Sequence, residues 1–297
     1  MLYRCYAKIN LTLEILGRRD DGHHELASLV HTISLADELR IEAADELLTR
    51  VEGLDLDPET NLVARAAERL ASATGTRLGA QLSLLKRIPA AAGLGGGSSN
   101  AAATLVGLNA LWQTHLGVPD LTQLAAQLGS DVPFFVRGGA AIMRGRGELL
   151  RPLPPLVGHW LVLVVPPHSV PDKTRRLYAA LDPSDFSSGE ITQRAADVLG
   201  RRQMVDDTHL VNGFERAARV VFPGLSAAWA EAERACGRRF CLSGAGPALF
   251  ALARDRADAQ RQVGGLARLG MVVHAARTVK QARASVRFAA EPCIRYP

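Results

Sequence analysis

Four glycines and two serines crowd into Pro89-Ala-Ala-Ala-Gly-Leu-Gly-Gly-Gly-Ser-Ser-Asn-Ala-Ala-Ala103. Glycine costs conformational entropy wherever it stands, so a cluster of it marks backbone that must turn sharply or come close to something. Upstream, Gln81 to Ile88 reads as a strand ending at Pro89; downstream, Ala101 to Leu111 reads as a helix of strong helix formers. The run is therefore a strand-to-helix loop. A helix N-terminus leaves four backbone N–H groups unpaired and carries the positive end of the macrodipole, which attracts phosphate. Gly93, Gly95, Gly96 and Gly97 clear side chains from that approach, and Ser98 and Ser99 are placed to cap the helix and add hydroxyl donors. The physical reading is a phosphate cradle, against the plainer one of a flexible Gly/Ser connector.

Spacing separates this loop from the common phosphate loops. A Walker A loop needs GxxxxGK[ST] and a dinucleotide fingerprint needs GxGxxG, but no lysine follows this loop and Ser98 stands where the fingerprint has its last glycine. No HRD or DFG sequence occurs, so the protein-kinase signature is absent too.

The 297 residues, 47% of them hydrophobic, are enough for a sizeable core and two domains. Arg151-Pro-Leu-Pro-Pro155 interrupts all periodicity just before the apolar run Trp160 to Val165, which puts the division near residue 155, with domains over 1–155 and 156–297. Tyr6 to Leu16 alternates apolar and polar residues as a strand does, with Lys8, Asn10 and Thr12 on one face. Asn61 to Ala71 carries a helical stripe of Leu62, Val63, Ala66, Ala67 and Leu70, with Asn61 or Thr60 as N-cap and Gly75 beyond its end. Lys173 to Leu181 and a stretch from Ala195 to Gly200 read as helices about a polar break, Asp182 to Gly189. Arg239 to Leu252 reads as strand, glycine turn (Ser243-Gly-Ala-Gly-Pro247), strand. Trp112, Trp160 and Trp229 have apolar neighbours and read as core.

A net charge of +5, spread without a basic run, suits an anionic small molecule. Nucleic-acid binding is not expected, because no basic run with interleaved aromatics occurs and aromatic content is 5%. The four cysteines show no CxxC pairing, the histidines are scattered, and no metal-ligand set emerges, so the expectation is reduced thiols and no metal site. Charge within the first few residues and the lack of any long apolar run predict a cytoplasmic chain with no membrane segment. A monomer or a homodimer fits equally.

The loop Pro89 to Asn100 resembles the nucleotide loop of the GHMP kinase superfamily, which includes galactose, homoserine, mevalonate and phosphomevalonate kinases. Four further segments narrow the resemblance to one branch: Ala7-Lys-Ile-Asn-Leu11, Asp21-Gly-His-His-Glu25, Leu128-Gly-Ser-Asp-Val-Pro-Phe-Phe135 and Leu242-Ser-Gly-Ala-Gly246. That branch phosphorylates a methylerythritol bearing a cytidine diphosphate group, in isoprenoid precursor biosynthesis. The resemblance implies an α+β fold of two domains with the active site in the cleft between them, and ATP with Mg²⁺ as co-substrate.

Residue roles follow from the same resemblance. Lys8 and Asp131 match the family's catalytic pair: Asp131 would accept the proton of the attacking hydroxyl, and Lys8 would favour its ionised form and offset charge on the transferring phosphoryl group. Pro89, Ala90, Ala91, Ala92, Gly93, Leu94, Gly95, Gly96, Gly97, Ser98 and Ser99 would surround ATP, with Gly244 and Gly246 approaching from the second domain. Mg²⁺ would bridge phosphate oxygens, touching Ser98 or Ser99, although no acidic magnesium ligand is evident. Asn10 would line the hydroxyl end of the substrate, His23 and His24 would read the cytosine, and Tyr178 would offer a stacking ring. The family's usual Gly-Tyr-His is here Gly22-His23-His24, which trades a tyrosine ring for a smaller one that protonates near pH 6.5 in its ordinary state. Weaker cytidine binding in acid is the expected consequence. Ser169-Val-Pro-Asp-Lys-Thr174 departs from the shorter Ser/Thr stretch usual there. A kinase of the same fold for homoserine, mevalonate or a sugar is the nearest alternative, and a catalytically silent ATP-binding relative is another.

Overall fold

A computed structural model of the chain describes every residue except 54–60, 168–169, 204, 270, 281–282 and 287–297, and describes 283–286 by backbone alone. Thr60, Ser169 and Cys293 thus lie outside the described residues. Among the described residues, twelve strands and nine α-helices follow in the order β1 (Leu2–Arg18), β2 (His24–Ala44), β3 (Leu47–Glu52), α1 (Leu62–Thr74), β4 (Gly79–Leu85), α2 (Gly96–Leu111), α3 (Val118–Ala126), α4 (Val132–Arg137), β5 (Ala140–Gly145) and β6 (Leu149–Leu153). The second half adds β7 (Trp160–Val165), α5 (Lys173–Ala179), α6 (Glu190–Gly200), β8 (Val211–Asn212), α7 (Glu215–Val221), α8 (Leu225–Cys236), β9 (Cys241–Leu242), β10 (Leu249–Leu252), α9 (Arg256–Ala267), β11 (Val272–Arg277) and β12 (Arg283–Val286).

The first eight-stranded sheet runs β12-β1-β2-β4-β3, with β5 and β6 added beside β2 and β8 beside β1. The second is a four-stranded sheet, β11-β7-β10-β9. α2 packs on β1 and β2 at one face of the first sheet, with α1 and α4 against α2. On its other face Ala7, Ile9, Leu11 and Leu29 meet Leu161, Leu163 and Val165 of β7. Val162 and Val164 point the opposite way, into a core shared with Trp229 of α8 and Leu266 of α9. β7 is apolar throughout because both of its faces are covered. Among the described residues, no helix is long and apolar enough to cross a membrane.

Local chemistry accounts for α1. Asn61 accepts a 3.0 Å hydrogen bond from the Val63 N–H, and Gly75, left-handed at φ 69°, closes the far end by donating to Ala71. Val63, Ala66, Ala67 and Leu70 are buried. The Gln81–Ile88 strand ends earlier than Pro89 predicts. β4 stops at Leu85: the Lys86 N–H still donates to Glu52 of β3 at 2.9 Å, but the carboxylate of Asp37 captures the two beyond it, those of Arg87 at 2.7 Å and Ile88 at 2.8 Å. Trp112 and Trp229 are core residues, whereas Trp160 is half-buried with Arg256 over its ring.

Candidate active site

Lys8 is the only lysine on β1, and its side chain is 5% exposed. A buried ammonium is costly unless its hydrogens are met. Here Nζ donates to Asn10 Oδ1 at 2.5 Å and lies 3.4 Å from Asp131 Oδ2. Asn10 is held in turn, donating to Ser28 Oγ at 2.7 Å, and Ser28 donates to the Thr12 carbonyl at 2.5 Å. That chain orients the amide oxygen toward Lys8.

Strict alternation predicts Thr12 on the same face, and the structure corrects this. The β1–β2 register shifts between Asn10 and Thr12, where Leu11 forms a bulge. Leu13 therefore lines the cavity with Lys8 and Asn10. Thr12 turns away, its Oγ1 2.8 Å from Thr192 Oγ1 on α6 and 2.8 Å from the Leu29 N–H.

Asp131 occupies the N-cap position of α4, where an aspartate ordinarily caps. Its side chain makes no capping hydrogen bond and its backbone is right-handed, at φ −84° and ψ −15°. The carboxylate points at Lys8 and is 36% exposed, open to the cavity.

The glycine loop joins this pair through the Lys8 N–H, which donates to the Leu94 carbonyl at 2.9 Å. α2 begins at Gly96, five residues before the alanine-rich run, with left-handed Gly95 as N-cap at φ 71°. Ser98 and Ser99 thus lie inside the first turn and cap nothing, contrary to expectation. Ser98 lines both main cavities; Ser99 is buried, and its hydroxyl has no partner among the described residues.

Two of the glycines are explained first by the protein itself. A Cβ at Gly93 would come 2.1 Å from the Ser243 carbonyl, and one at Gly95 would come 2.8 Å from Phe135 and 3.0 Å from Lys8. At Gly97 a Cβ would lie 3.4 Å from Leu62, an ordinary contact. The loop from Pro89 to Ser98 borders a cavity of about 290 Å³, together with Asn61, Leu62, Lys86 and Asn100. Asp37 and Lys86 form a buried ion pair at the loop's base, and Asn100 Nδ2 donates to Asp37 Oδ2 at 3.0 Å. These two residues, 49 apart in the chain, carry no motif that sequence reading could single out.

The larger cavity, about 1170 Å³, contains Lys8, Asn10, His23, His24, Asp131 and Tyr178. His24 stacks on Tyr178 with centroids 4.8 Å apart and planes at 20°. Phe186 meets His24 edge-on at 6.0 Å, and Phe214 meets Tyr178 edge-on at 4.9 Å. One face of Tyr178 is covered by His24, so the rings form a joint platform. Burial and the neighbouring Arg18 and His23 lower the His24 pKa. His23 stands at the mouth, half exposed, with Nε2 3.4 Å from Arg146 and Nδ1 3.4 Å from Asp21. Phe186 falls within the polar break Asp182–Gly189, which concealed it. The opening also carries Arg18, Arg146 and Arg175.

The Ser243–Pro247 turn closes the site. Gly244 lines the larger cavity, and a Cβ there would lie 3.0 Å from Lys8 Nζ. Ala248 N–H donates to the Ala92 carbonyl at 3.0 Å, and Ser243 Oγ to the Gly93 carbonyl at 3.2 Å. Asn212 steadies the turn from β8 by donating to the carbonyls of Leu242 at 2.8 Å and Gly244 at 2.9 Å. Gly246 borders neither main cavity; its carbonyl accepts from Lys173.

Comparison with known proteins gives the same outline. The family described as "GHMP kinases N terminal domain" matches residues 61–139, and "GHMP kinases C terminal" matches 196–270. A 4-diphosphocytidyl-2-C-methyl-D-erythritol kinase of Dehalococcoides mccartyi (strain CBDB1) is 41% identical over 256 residues, 86% of this chain and 90% of the relative. One from Salinispora arenicola is 40% identical over 301 aligned positions, 96% of this chain and 93% of the relative. A crystal structure of 4-(cytidine 5'-diphospho)-2C-methyl-D-erythritol kinase superposes with a TM-score of 0.79 at 37% identity, covering 94% of this chain and 99% of that one. Homoserine kinase from Cytophaga hutchinsonii shares the fold, with a TM-score of 0.70 at 18% identity over 96% of each chain.

Proposed function

Since the chain belongs to the 4-diphosphocytidyl-2-C-methyl-D-erythritol kinase family of the GHMP kinases, we propose the following division of labour for phosphoryl transfer from ATP to the 2-hydroxyl of that cytidyl alcohol. The reaction yields the 2-phosphate and ADP and supplies isoprenoid precursor biosynthesis. The 3.4 Å pair of Lys8 and Asp131 carries the mechanistic reading.

Asp131 accepts the proton of the substrate hydroxyl as its oxygen attacks the γ-phosphorus. The carboxylate suits this role because it is committed to no cap and opens on the cavity. Lys8, held by Asn10, offsets the negative charge gathering on the transferring group. Asn10 also borders the space for the acceptor alcohol. Phosphates lie along the loop from Pro89 to Ser98, on the open first-turn N–H groups of α2. Gly244 approaches from the second loop, and Ser98, between the cavities, marks the passage from donor to acceptor. Magnesium would be carried by ATP, and Ser98, on the wall of both cavities, would offer it a hydroxyl oxygen; the Ser99 hydroxyl, buried behind it, lacks a partner among the described residues. Residues 1–155 and 156–297 act as the two halves of this cleft.

The cytidine end belongs at the His23, His24, Tyr178 and Phe186 platform. Arg18 and Arg146 supply positive charge for the diphosphate.

The test is magnesium-dependent ADP release with 4-diphosphocytidyl-2-C-methyl-D-erythritol, beside homoserine, mevalonate and galactose. Turnover with the cytidyl alcohol alone is expected; turnover with another acceptor alone would overturn the substrate assignment. Asp131→Asn is expected to bind ATP and lose about two or more orders of magnitude in kcat. Near-normal turnover would remove Asp131 from the base role.

A further inference from the structure

Lys173 stands first in α5, after Asp172, whose left-handed backbone at φ 50° turns the chain into the helix. Its Nζ donates to the Ala91 carbonyl at 2.5 Å and to the Gly246 carbonyl. One acceptor belongs to the glycine loop and the other to the Ser243–Pro247 turn. The ammonium therefore sits where the two loops converge.

Joining the loops does not require a cation. Ala248 N–H to Ala92 and Ser243 Oγ to Gly93 already bond them with neutral groups. An ammonium has three donors, and these two carbonyls use two of them. Lys173 forms no ion pair among the described residues, whereas the neighbouring Lys8 has Asp131. Two lysines and one aspartate leave this end of the site with a positive charge uncompensated. Burial and the field of Lys8 depress the Lys173 pKa to about 8, and Asp131 opposes that shift. A charge so placed is stabilised by an incoming anion, and phosphate oxygens are stronger acceptors than carbonyls for an ammonium.

We propose that Lys173 is a second phosphate-holding cation of this site, using its third N–H on the nucleotide's phosphates where the Ala91 loop and the Gly246 turn meet. The proposal rests on the reading of the glycine loop as a phosphate cradle. Lys173 is a binding residue, distinct from the Lys8–Asp131 pair, which acts on the reacting hydroxyl and the phosphoryl group transferred to it.

The experiment is calorimetric binding of MgATP and of adenosine to the full chain and to Lys173→Gln, Lys173→Met and Lys173→Arg. Thermal unfolding without nucleotide identifies the folded variants. Gln keeps donors for the carbonyls and lacks the charge. Gln and Met are expected to weaken MgATP binding about 10- to 100-fold, with adenosine affinity unchanged and Arg restoring most of the loss. Unchanged MgATP affinity in either neutral variant would overturn the proposal. So would an equal loss for MgATP and adenosine, which marks a structural staple. Wild-type protein that binds MgATP no more tightly than adenosine would instead overturn the cradle reading itself.

Discussion

Lys8 and Lys173 show how one residue type takes different states within one site. Lys8 is held by a carboxylate and an amide oxygen, while among the described residues Lys173 is held by two backbone carbonyls. The histidine pair divides similarly. His24 lies flat on Tyr178, and burial favours its neutral form; His23 is at the rim between Asp21 and Arg146. A tyrosine at 23 would present more ring to a base. His23→Tyr is therefore expected to lower KM for the cytidyl substrate several-fold, by about 0.5–1.5 kcal/mol, with KM for ATP unaltered. Steady-state kinetics varying each substrate will check this; an unchanged or raised KM for the cytidyl substrate would mean that His23 does not touch the base.

At the scale of elements, α2 determines where the phosphate loop lies. The helix is apolar on nearly all sides because β1 and β2 pack on one side of it and α1 and α4 on others. Gly107 lets it approach the sheet: a Cβ there would come 2.2 Å from Ile41 Cδ1 and 3.0 Å from Tyr3. Alanine in place of a mid-helix glycine ordinarily gains about 1 kcal/mol in propensity. In this packed interface the clash outweighs that gain, and Gly107→Ala is expected to destabilise the protein by about 1–3 kcal/mol. Urea unfolding will read the change; a stabilised variant would show that the interface yields. The bulge at Leu11 matters as much, because it sends Leu13 to the cavity and Thr12 to α6.

Over the whole molecule, the two sheets share an apolar core between β1 and β7, and His31 adds a buried polar link between β2 and the segment leading into β7. Its Nδ1 donates to the Thr32 carbonyl at 2.9 Å, and its Nε2 accepts from the Leu156 N–H at 3.1 Å. The Nε2 contact requires the neutral ring, because a protonated ring has no lone pair there to accept the Leu156 N–H. Burial lowers the His31 pKa to about 4, from the ordinary 6.5. Between those values the unfolded chain binds the proton and the folded one does not, so stability falls as pH drops from 6.5 toward 4. The loss is on the order of 3 kcal/mol. Urea unfolding at pH 7, 5.5 and 4.5 will measure it, and His31→Gln is expected to flatten that dependence. The same slope in both proteins would assign the effect to other groups.

The local signals were legible without the fold. Asn61 and Gly75 bound α1 because a cap depends on a few neighbouring residues, and the glycine run marks a strand-to-helix turn because free N–H groups at a helix start follow from helix geometry. The pairing of Lys8 with Asp131 came from family resemblance, since they stand 123 positions apart and spacing alone says nothing of contact. Tertiary structure decided the rest. Gly93 lacks a side chain because Ser243 crosses it, Asp37 ends β4 because it meets Arg87 and Ile88, and Lys173 reaches two loops far from it in sequence. Each of these depends on which distant atoms fill the space around a residue. Sequence periodicity reports which face is buried, whereas packing decides what that face meets.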